Sequence, residues 1–331
     1  MKADSNNLIY VPLEHIDQRY TVHLDRDIEN YLDGEDIKYL KMTQPRLSGR
    51  LPKGMFLDAA GTIKTKSHQL FQIAGLYEMG LVTDDTQFFF SDIWFPGIES
   101  LAYLNYFYKV KPRITGFLHA GSFTDTDFVR DMERWAKNFE DIVFDIADEI
   151  FVASDFIKQD VIKKRIVDPN KITVTELPLD SRLCEHYKPP TMERDNLVLF
   201  NGRICDEKQP WMFDQLQREL QQRGWADATF IKTQEQGYNK SEYYELLSKA
   251  KVVVSYALQE NFGYGIAEAV QLGCIPVVPN KLVYPELYPE QYRYNNFEES
   301  VDKVAKALDG ELTVHRPILK TNREIFNAWF K

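Results

Sequence analysis

Short apolar runs bounded by turn residues alternate along this chain with longer stretches whose apolar positions recur every three to four residues. The first kind reads as buried strand and the second as amphipathic helix. Strands are predicted at 8–13, 55–57, 87–90, 113–118, 149–154 and 172–174, and again at 196–200, 228–232, 252–258 and 274–279. Helices are predicted at 21–32, 67–80, 99–107, 128–146 and 155–165, then at 211–223, 241–250, 266–272, 297–308 and 322–330. A turn is expected at 58–61 and a Pro- and Tyr-rich loop at 280–290. Strands that alternate with helices predict parallel sheets covered on both faces. A length of 331 residues is enough for two such domains.

The stretch richest in chemistry is Glu260-Asn261-Phe262-Gly263-Tyr264-Gly265-Ile266-Ala267-Glu268. It joins a predicted strand to a helix that stops at Gly273, a natural C-terminal cap. Gly263 and Gly265 allow a positive φ or a close approach of the backbone to a ligand. The start of the helix offers free N–H groups and a positive dipole end to a phosphate. Two carboxylates would repel that phosphate, so they suit another task, accepting hydroxyl protons from a sugar and a ribose. A strand, turn and helix with two glutamates is also a common structural unit.

Upstream, strand 196–200 runs into Asn201-Gly202-Arg203-Ile204-Cys205-Asp206-Glu207-Lys208. Arg203 and Lys208, set five residues apart between strand and helix, are a weak signal by themselves. The plain alternative is a pair of surface cations. In the first half, residues just past the carboxyl ends of parallel strands point into a ligand crevice. That placement nominates Asp92 and Trp94 as ligand contacts, and His119 stands in a similar place, after strand 113–118 and before a small-residue turn. Asp92 is equally suited to cap the helix at 99–107, and a lone histidine is more often structural.

Charge modifies this picture. The net charge of −10 argues against coating nucleic acid by bulk attraction. Yet between positions 38 and 66, Lys38, Lys41, Arg46, Arg50, Lys53, Lys64 and Lys66 face only Asp58, a local excess of +6. This stretch, with Pro45, Gly49, Pro52 and Gly54, reads as a loop that is either solvated or a footprint for an anionic acceptor. Cys184, Cys205 and Cys274 are odd in number and widely spaced, which speaks against a disulfide framework or a zinc site and for a reducing, cytoplasmic setting. No run approaches the ~18 apolar residues of a membrane span, and the polar N-terminus has no secretory h-region.

Taken together, the order strand–Glu–turn–helix–Gly–strand–loop, the E-x(7)-E spacing of Glu260 and Glu268, and the preceding Gly202-Arg203…Lys208 resemble the donor site of the GT-B glycosyltransferases, in particular glycosyltransferase family 4. The resemblance is specific from 196 to 290 and rests on arrangement before that. It implies two Rossmann-like α/β domains facing across a cleft: an acceptor-side domain at 1–188, a donor domain at 189–314, and a C-terminal helix in 315–331 returning to the first domain. In that family Arg203 and Lys208 would hold the diphosphate, Glu260 the donor sugar and Glu268 the ribose. Gly202, Asn261, Phe262, Gly263, Tyr264 and Gly265 would line the donor, and His119 would stand beside the sugar. Segment 176–180 resembles a P-x-G-x-D turn with Leu179 in place of the glycine, so the turn must differ.

The implied activity is transfer of a sugar, with retention of configuration, from a nucleotide sugar to an acceptor hydroxyl. No metal or cofactor is expected, and UDP is the expected donor nucleotide. An Asp-x-Asp pattern at Asp125-Thr126-Asp127 lies in the half away from the donor. The compact chain also resembles bacteriophage glycosyltransferases. The expected acceptor is accordingly a hydroxymethylated base in DNA, flipped from its duplex, with Arg46, Arg50 and Lys53 on the phosphates. The alternatives are a saccharide or envelope-polymer acceptor, a non-catalytic nucleotide-sugar-binding module, and a sugar phosphorylase. Oligomeric state is left open.

Overall fold

The computed structural model describes residues 8–16, 20–45, 58–125, 127, 129–189, 193–312 and 319–330. The chain forms two compact units, Met1–Thr175 with Arg323–Lys331, and Glu176–Asn322. Among the described residues no helix is long and apolar enough to cross a membrane.

The first unit alternates β1 (Leu8–Val11), α1 (Tyr20–Gly34), β2 (Tyr39–Lys41), α2 (Ala59–Glu78), β3 (Gln87–Phe90), α3 (Glu99–Tyr108), β4 (Arg113–Leu118), α4 (Glu133–Ile146), β5 (Glu149–Val152), α5 (Asp155–Lys164) and β6 (Ile172–Val174). The strands pair in parallel in the order β2-β1-β3-β4-β5-β6. Alternation places Phe88 and Phe90 on one face, where Tyr77 and Phe95 cover them. Phe89 points to the other. β1 lies between β2 and β3, so the winding direction reverses there, at the β1/β3 boundary.

The second unit repeats the scheme. Its elements are α6 (Ser181–His186), β7 (Asp195–Phe200), α7 (Pro210–Gln222), β8 (Thr229–Lys232), α8 (Lys240–Lys249), β9 (Ala250–Val254), α9 (Tyr264–Gln271), β10 (Ile275–Pro279), α10 (Tyr284–Leu287), β11 (Arg293–Tyr294) and α11 (Phe297–Leu308). The parallel order β11-β10-β9-β7-β8 puts the reversal between β7 and β9. The last helix, α12 (Asn322–Trp329), carries the chain back into the first unit. There Trp329, 1% exposed, packs 5.3 Å from Phe89 and 5.4 Å from Phe117 and donates to Thr175 Oγ1. It covers the sheet face that Phe89 presents.

Several sequence expectations change. The turn expected at 58–61 is the start of α2, which begins eight residues before the predicted 67. Thr62 N donates to Asp58 O, and the Asp58 carboxylate folds so close to Gly61 that a Cβ there would meet Oδ2 at 2.5 Å. Gly61 thus serves a helix start, which a glycine-as-turn rule misreads. The expected loop at 280–290 contains the single turn of α10 around Pro285. The 128–146 helix is a 3₁₀ turn, Arg130–Met132, followed by α4. The short edge strand β2 arises in a stretch read as loop. Residues 176–188, placed with the first domain by their nearness to Pro189 and Pro190, pack in the second unit. Cys184 joins its core, and Asp180 caps α6 and pairs with Lys240 at 3.2 Å. The left-handed conformation of the 176–180 turn falls on Glu176 (φ 67°), not on Leu179.

Candidate functional site

In open parallel sheets, ligands bind beyond the carboxyl ends of the strands where the winding reverses. In the second unit that place lies beyond the ends of β7 and β9. After β7 come Asn201, Gly202, Arg203 and a 3₁₀ turn, Asp206–Lys208, ending at a left-handed Gln209 before Pro210 opens α7. After β9 come Ser255 and the Glu260–Gly265 turn. Asn201, Gly202, Lys208, Ser255, Glu260, Gly263 and Gly265 together line a pocket of about 50 Å³.

Lys208 is the electrostatic centre of this pocket. Its ammonium lies 3.0 Å from Glu207 Oε1 and 3.3 Å from Glu260 Oε2, and it donates to the Gln259 carbonyl. Burial by itself would lower its pKa, but the Glu260 and Glu207 carboxylates outweigh burial and hold it above the ordinary lysine value. Arg203 Nη2 donates to both oxygens of Glu207, at 3.0 and 3.2 Å. Glu207 therefore orients both cations, and sequence reasoning passed over it. Its signal was visible, since it stands four residues after Arg203 and directly before Lys208.

Gly263 sits at the N-terminus of α9 with φ 76°, and a Cβ there would approach Tyr284 Cε1 to 3.2 Å. Both facts favour glycine. Asn201 donates to the Gly265 carbonyl at 2.6 Å and so ties the end of β7 to the first turn of α9. A Cβ on Gly265 would stand 3.0 Å from that amide. Phe262 is 2% exposed and packs edge-on against Tyr264, whose hydroxyl donates to the Pro178 carbonyl. Asn261 accepts from the Gln259 side chain at 2.5 Å. These three side chains have partners at the turn, while Glu260, Gly263 and Gly265 line the pocket.

Glu268 is buried on α9. It accepts from Tyr244 at 2.5 Å and from Tyr243 at 3.4 Å, both on α8. Burial pushes its carboxyl up to about 7, against the lowering effects of the Tyr244 hydrogen bond and of Lys240. Tyr243 in turn accepts from Asn201 at 3.4 Å. Glu268 thus belongs to the same hydrogen-bonded assembly as the end of β7.

In the first unit, His119 follows β4. Ser91 O lies 2.8 Å from Nε2 and the Tyr20 hydroxyl 3.1 Å from Nδ1. A carbonyl can only accept, so Nε2 carries the proton and Nδ1 accepts from Tyr20. Burial lowers the imidazole pKa to about 4, partly offset by the Ser91 carbonyl, so the ring is neutral at pH 7. Asp92 accepts from Trp94 N at 3.0 Å. It closes its own turn and does not cap α3, whose N-cap Ile98 has no side-chain partner. Burial pushes the Asp92 carboxyl up to about 7, with Lys66 opposing and Glu14 reinforcing. Trp94 donates from Nε1 to Glu140 at 3.2 Å and packs edge-on against Phe139 and Trp135, so its indole already has partners within its own unit. Glu140 and Arg165, each with a side chain 1% exposed, pair at 2.7 Å and fix Ser122 in the loop after His119. Arg46, Arg50 and Lys53 lie outside the described residues. Among the described residues no three His, Cys, Asp or Glu side chains group as metal ligands.

Several solved proteins share this architecture. HepE of Anabaena, solved with UDP, superposes with a TM-score of 0.59 at 11% identity, covering 98% of this chain and 94% of that one. Sucrose-phosphate synthase of Thermosynechococcus elongatus superposes with a TM-score of 0.59 at 13% identity, covering 98% and 95%. The lipopolysaccharide outer core galactosyltransferase WaaB gives 0.57 at 13%, covering 97% and 94%. The fold is that of the GT-B glycosyltransferases. No protein-family model matches the sequence. A stretch of 121 residues is 36% identical to the tRNA-queuosine alpha-mannosyltransferase of Drosophila melanogaster. That match spans 34% of this chain and 30% of the relative's length.

Proposed function

We propose that this chain is a glycosyltransferase that moves a sugar from a nucleoside-diphosphate donor to a hydroxyl on a nucleic-acid nucleoside, with retention of configuration and without a metal or other cofactor. The carrying observation is the convergence of Lys208, Arg203, Glu260, the left-handed Gly263 and the start of α9 at the strand-order reversal of the second unit. Two cations and a helix N-terminus suit a diphosphate, and UDP is the donor nucleotide we expect. The three N–H groups of Lys208 already meet Gln259, Glu207 and Glu260. A phosphate oxygen would replace the longest of these contacts, to Glu260, and free that carboxylate for sugar hydroxyls. Glu268 is the proposed ribose acceptor, and the backbone of 263–265 faces the phosphates. His119, held neutral and orientated at both nitrogens, is assigned to the reaction step and not to nucleotide binding.

The acceptor reading draws on two supports. The Drosophila relative bears the name of an enzyme acting on a tRNA nucleoside, and the 38–66 stretch of this chain is basic within an acidic half, even though Lys41 pairs with Asp25 and Glu29 and Lys66 with Glu14. Incubation of the full chain with UDP- and GDP-sugars, and with tRNA, hydroxymethylated DNA duplex or simple glycans, tests it by mass spectrometry of the acceptor. Sugar on a nucleoside of either nucleic acid supports the reading and identifies the polymer. Transfer only to a glycan replaces it with the saccharide alternative, and nucleotide-sugar binding without turnover replaces it with a binding module. NMR of the anomeric proton in donor and product tests retention.

A further inference from the structure

The helical face of the first unit carries apolar surface that has no part in the donor site. Helices α2, α3 and α4 send Ile73, Leu101 and Val143 into one buried cluster with Phe88 and Phe90, and α3 contacts both of the others. The three helices therefore lie side by side on one face of the sheet, with α3 in the middle. Phe71 on α2, Tyr103, Tyr106 and Phe107 on α3, and Trp135 on α4 turn away from that core, each between 50% and 79% exposed. At ~200 Å² per aromatic side chain these rings show roughly 650 Å². The largest apolar patch of a monomer is usually about 300–600 Å², and each side of a standard protein–protein interface is about 800 Å². Along α3 no charge interrupts the chain between Glu99 and Lys109.

We propose that this face pairs two copies of the chain about a twofold axis, with α3 antiparallel to α3 of the second copy. A twofold contact must match itself, residue i meeting j while j meets i. The exposed face of α3 satisfies this. With the axis level with Leu104 and Asn105, Tyr103 meets Tyr106 of the second copy and the small, exposed Ala102 receives its Phe107. Glu99 at one end of the helix then comes beside Lys109 at the other, and each of these contacts occurs twice. Glu99 gives one oxygen to Gly97 N at 3.1 Å and keeps the other for a cation. The same axis lays α2 over α2 and α4 over α4, adding Phe71 and Trp135 of both copies. The α3 rings are already gathered, Phe107 lying 4.6 Å from Tyr103 and 5.2 Å from Tyr106 between centres, so part of the ordering that association requires is in place. A nucleic acid calls for a basic stripe, and an anionic bilayer for lysines and arginines flanking the apolar face. Here Asp84 accepts from Lys111 N at 2.7 Å, and on α4 Arg134 and Lys137 alternate with Glu133 and Asp141. The inference stands apart from the glycosyltransferase reading.

The test is analytical ultracentrifugation of the full chain across the micromolar range, where the wild type is expected to dimerise. Tyr106→Glu and Phe107→Asp are each expected to weaken dimerisation at least about hundredfold, because every substitution removes its contact twice. Both side chains are exposed, so the variants should keep the wild-type circular dichroism. Glu99→Lys and Lys109→Glu should each weaken dimerisation about tenfold by setting like charges together, and the two combined should restore it. That rescue also serves should a ring variant fail to fold. A wild type that stays monomeric, dimerisation unchanged by the ring substitutions, or a double charge swap that fails to restore it would overturn the proposal. A monomeric wild type that binds poly-uridine or phosphatidylglycerol vesicles, and loses that binding with Tyr106→Glu, would give the face to a nucleic acid or a membrane instead.

Discussion

Glu268→Gln separates a functional carboxylate from a structural one, because the two roles predict opposite effects on stability. Glu268 is 7% exposed, and burial moves its carboxyl from 4.5 up to about 7. Between those pH values the folded chain binds more protons than the unfolded chain, so stability falls as pH rises through the interval. Below pH 4.5 both states are protonated and no penalty remains. Above 7 the full penalty applies, roughly 3 kcal/mol from the size of the displacement. Glutamine is neutral throughout, keeps an oxygen for the Tyr244 hydroxyl, and can donate its amide to Tyr243. The variant is therefore expected to be more stable than the wild type by up to roughly 3 kcal/mol at pH 8, the difference fading towards pH 4.5. It is also expected to bind UDP more weakly by about 1.5–3 kcal/mol, since a charged acceptor for ribose hydroxyls is lost. Chemical denaturation from pH 4.5 to 8, with calorimetry of UDP at pH 8, measures both. A variant less stable than the wild type at pH 8 that binds UDP unchanged would refute the reasoning and make Glu268 a structural anchor for α8.

Arg203→Ala and Lys208→Ala should each weaken UDP binding by about 1.5–3 kcal/mol. Calorimetry showing unchanged affinity in both would remove the donor assignment. Gly263→Ala must hold φ 76° with its Cβ 3.2 Å from Tyr284, so a stability loss of about 1–2 kcal/mol is expected by thermal denaturation. A neutral result would show that the turn tolerates an ordinary residue. Arg165→Met leaves the buried Glu140 carboxylate without its cation and should cost about 3 kcal/mol. A loss below about 1 kcal/mol would mean the pair is dispensable. Charge reversal at Arg46, Arg50 and Lys53 together should flatten the salt dependence of nucleic-acid binding by about 0.9 per lost phosphate contact on duplex DNA. Gel shifts at several salt concentrations read that slope, and an unchanged slope would move the acceptor footprint elsewhere.

What could be read from the chain alone was local. The apolar runs at 88–90, 197–200 and 252–254 are strands because a strand buried on both faces is continuously apolar. The Gly263 turn was legible because only a glycine readily accepts its backbone angle, whereas Arg203, Lys208 and Glu260 were singled out by motif spacing and resemblance. Helix starts were less legible: Gly61 looks like a turn residue, yet it sits in a first turn where the Asp58 carboxylate leaves no room for a Cβ. The tertiary structure decided the partners. Tyr243 and Tyr244 meet Glu268 from 25 and 24 residues away because α8 and α9 flank the same strand. Glu14, Lys66 and Asp92 are scattered over 78 positions and carry no recognisable spacing. They converge only because β1 and β3 are parallel neighbours with matching registers, which brings their carboxyl ends to the same edge of the sheet. Periodicity records which face of an element is buried, but strand order and register, which fix what meets there, arise from long-range packing that no local pattern encodes.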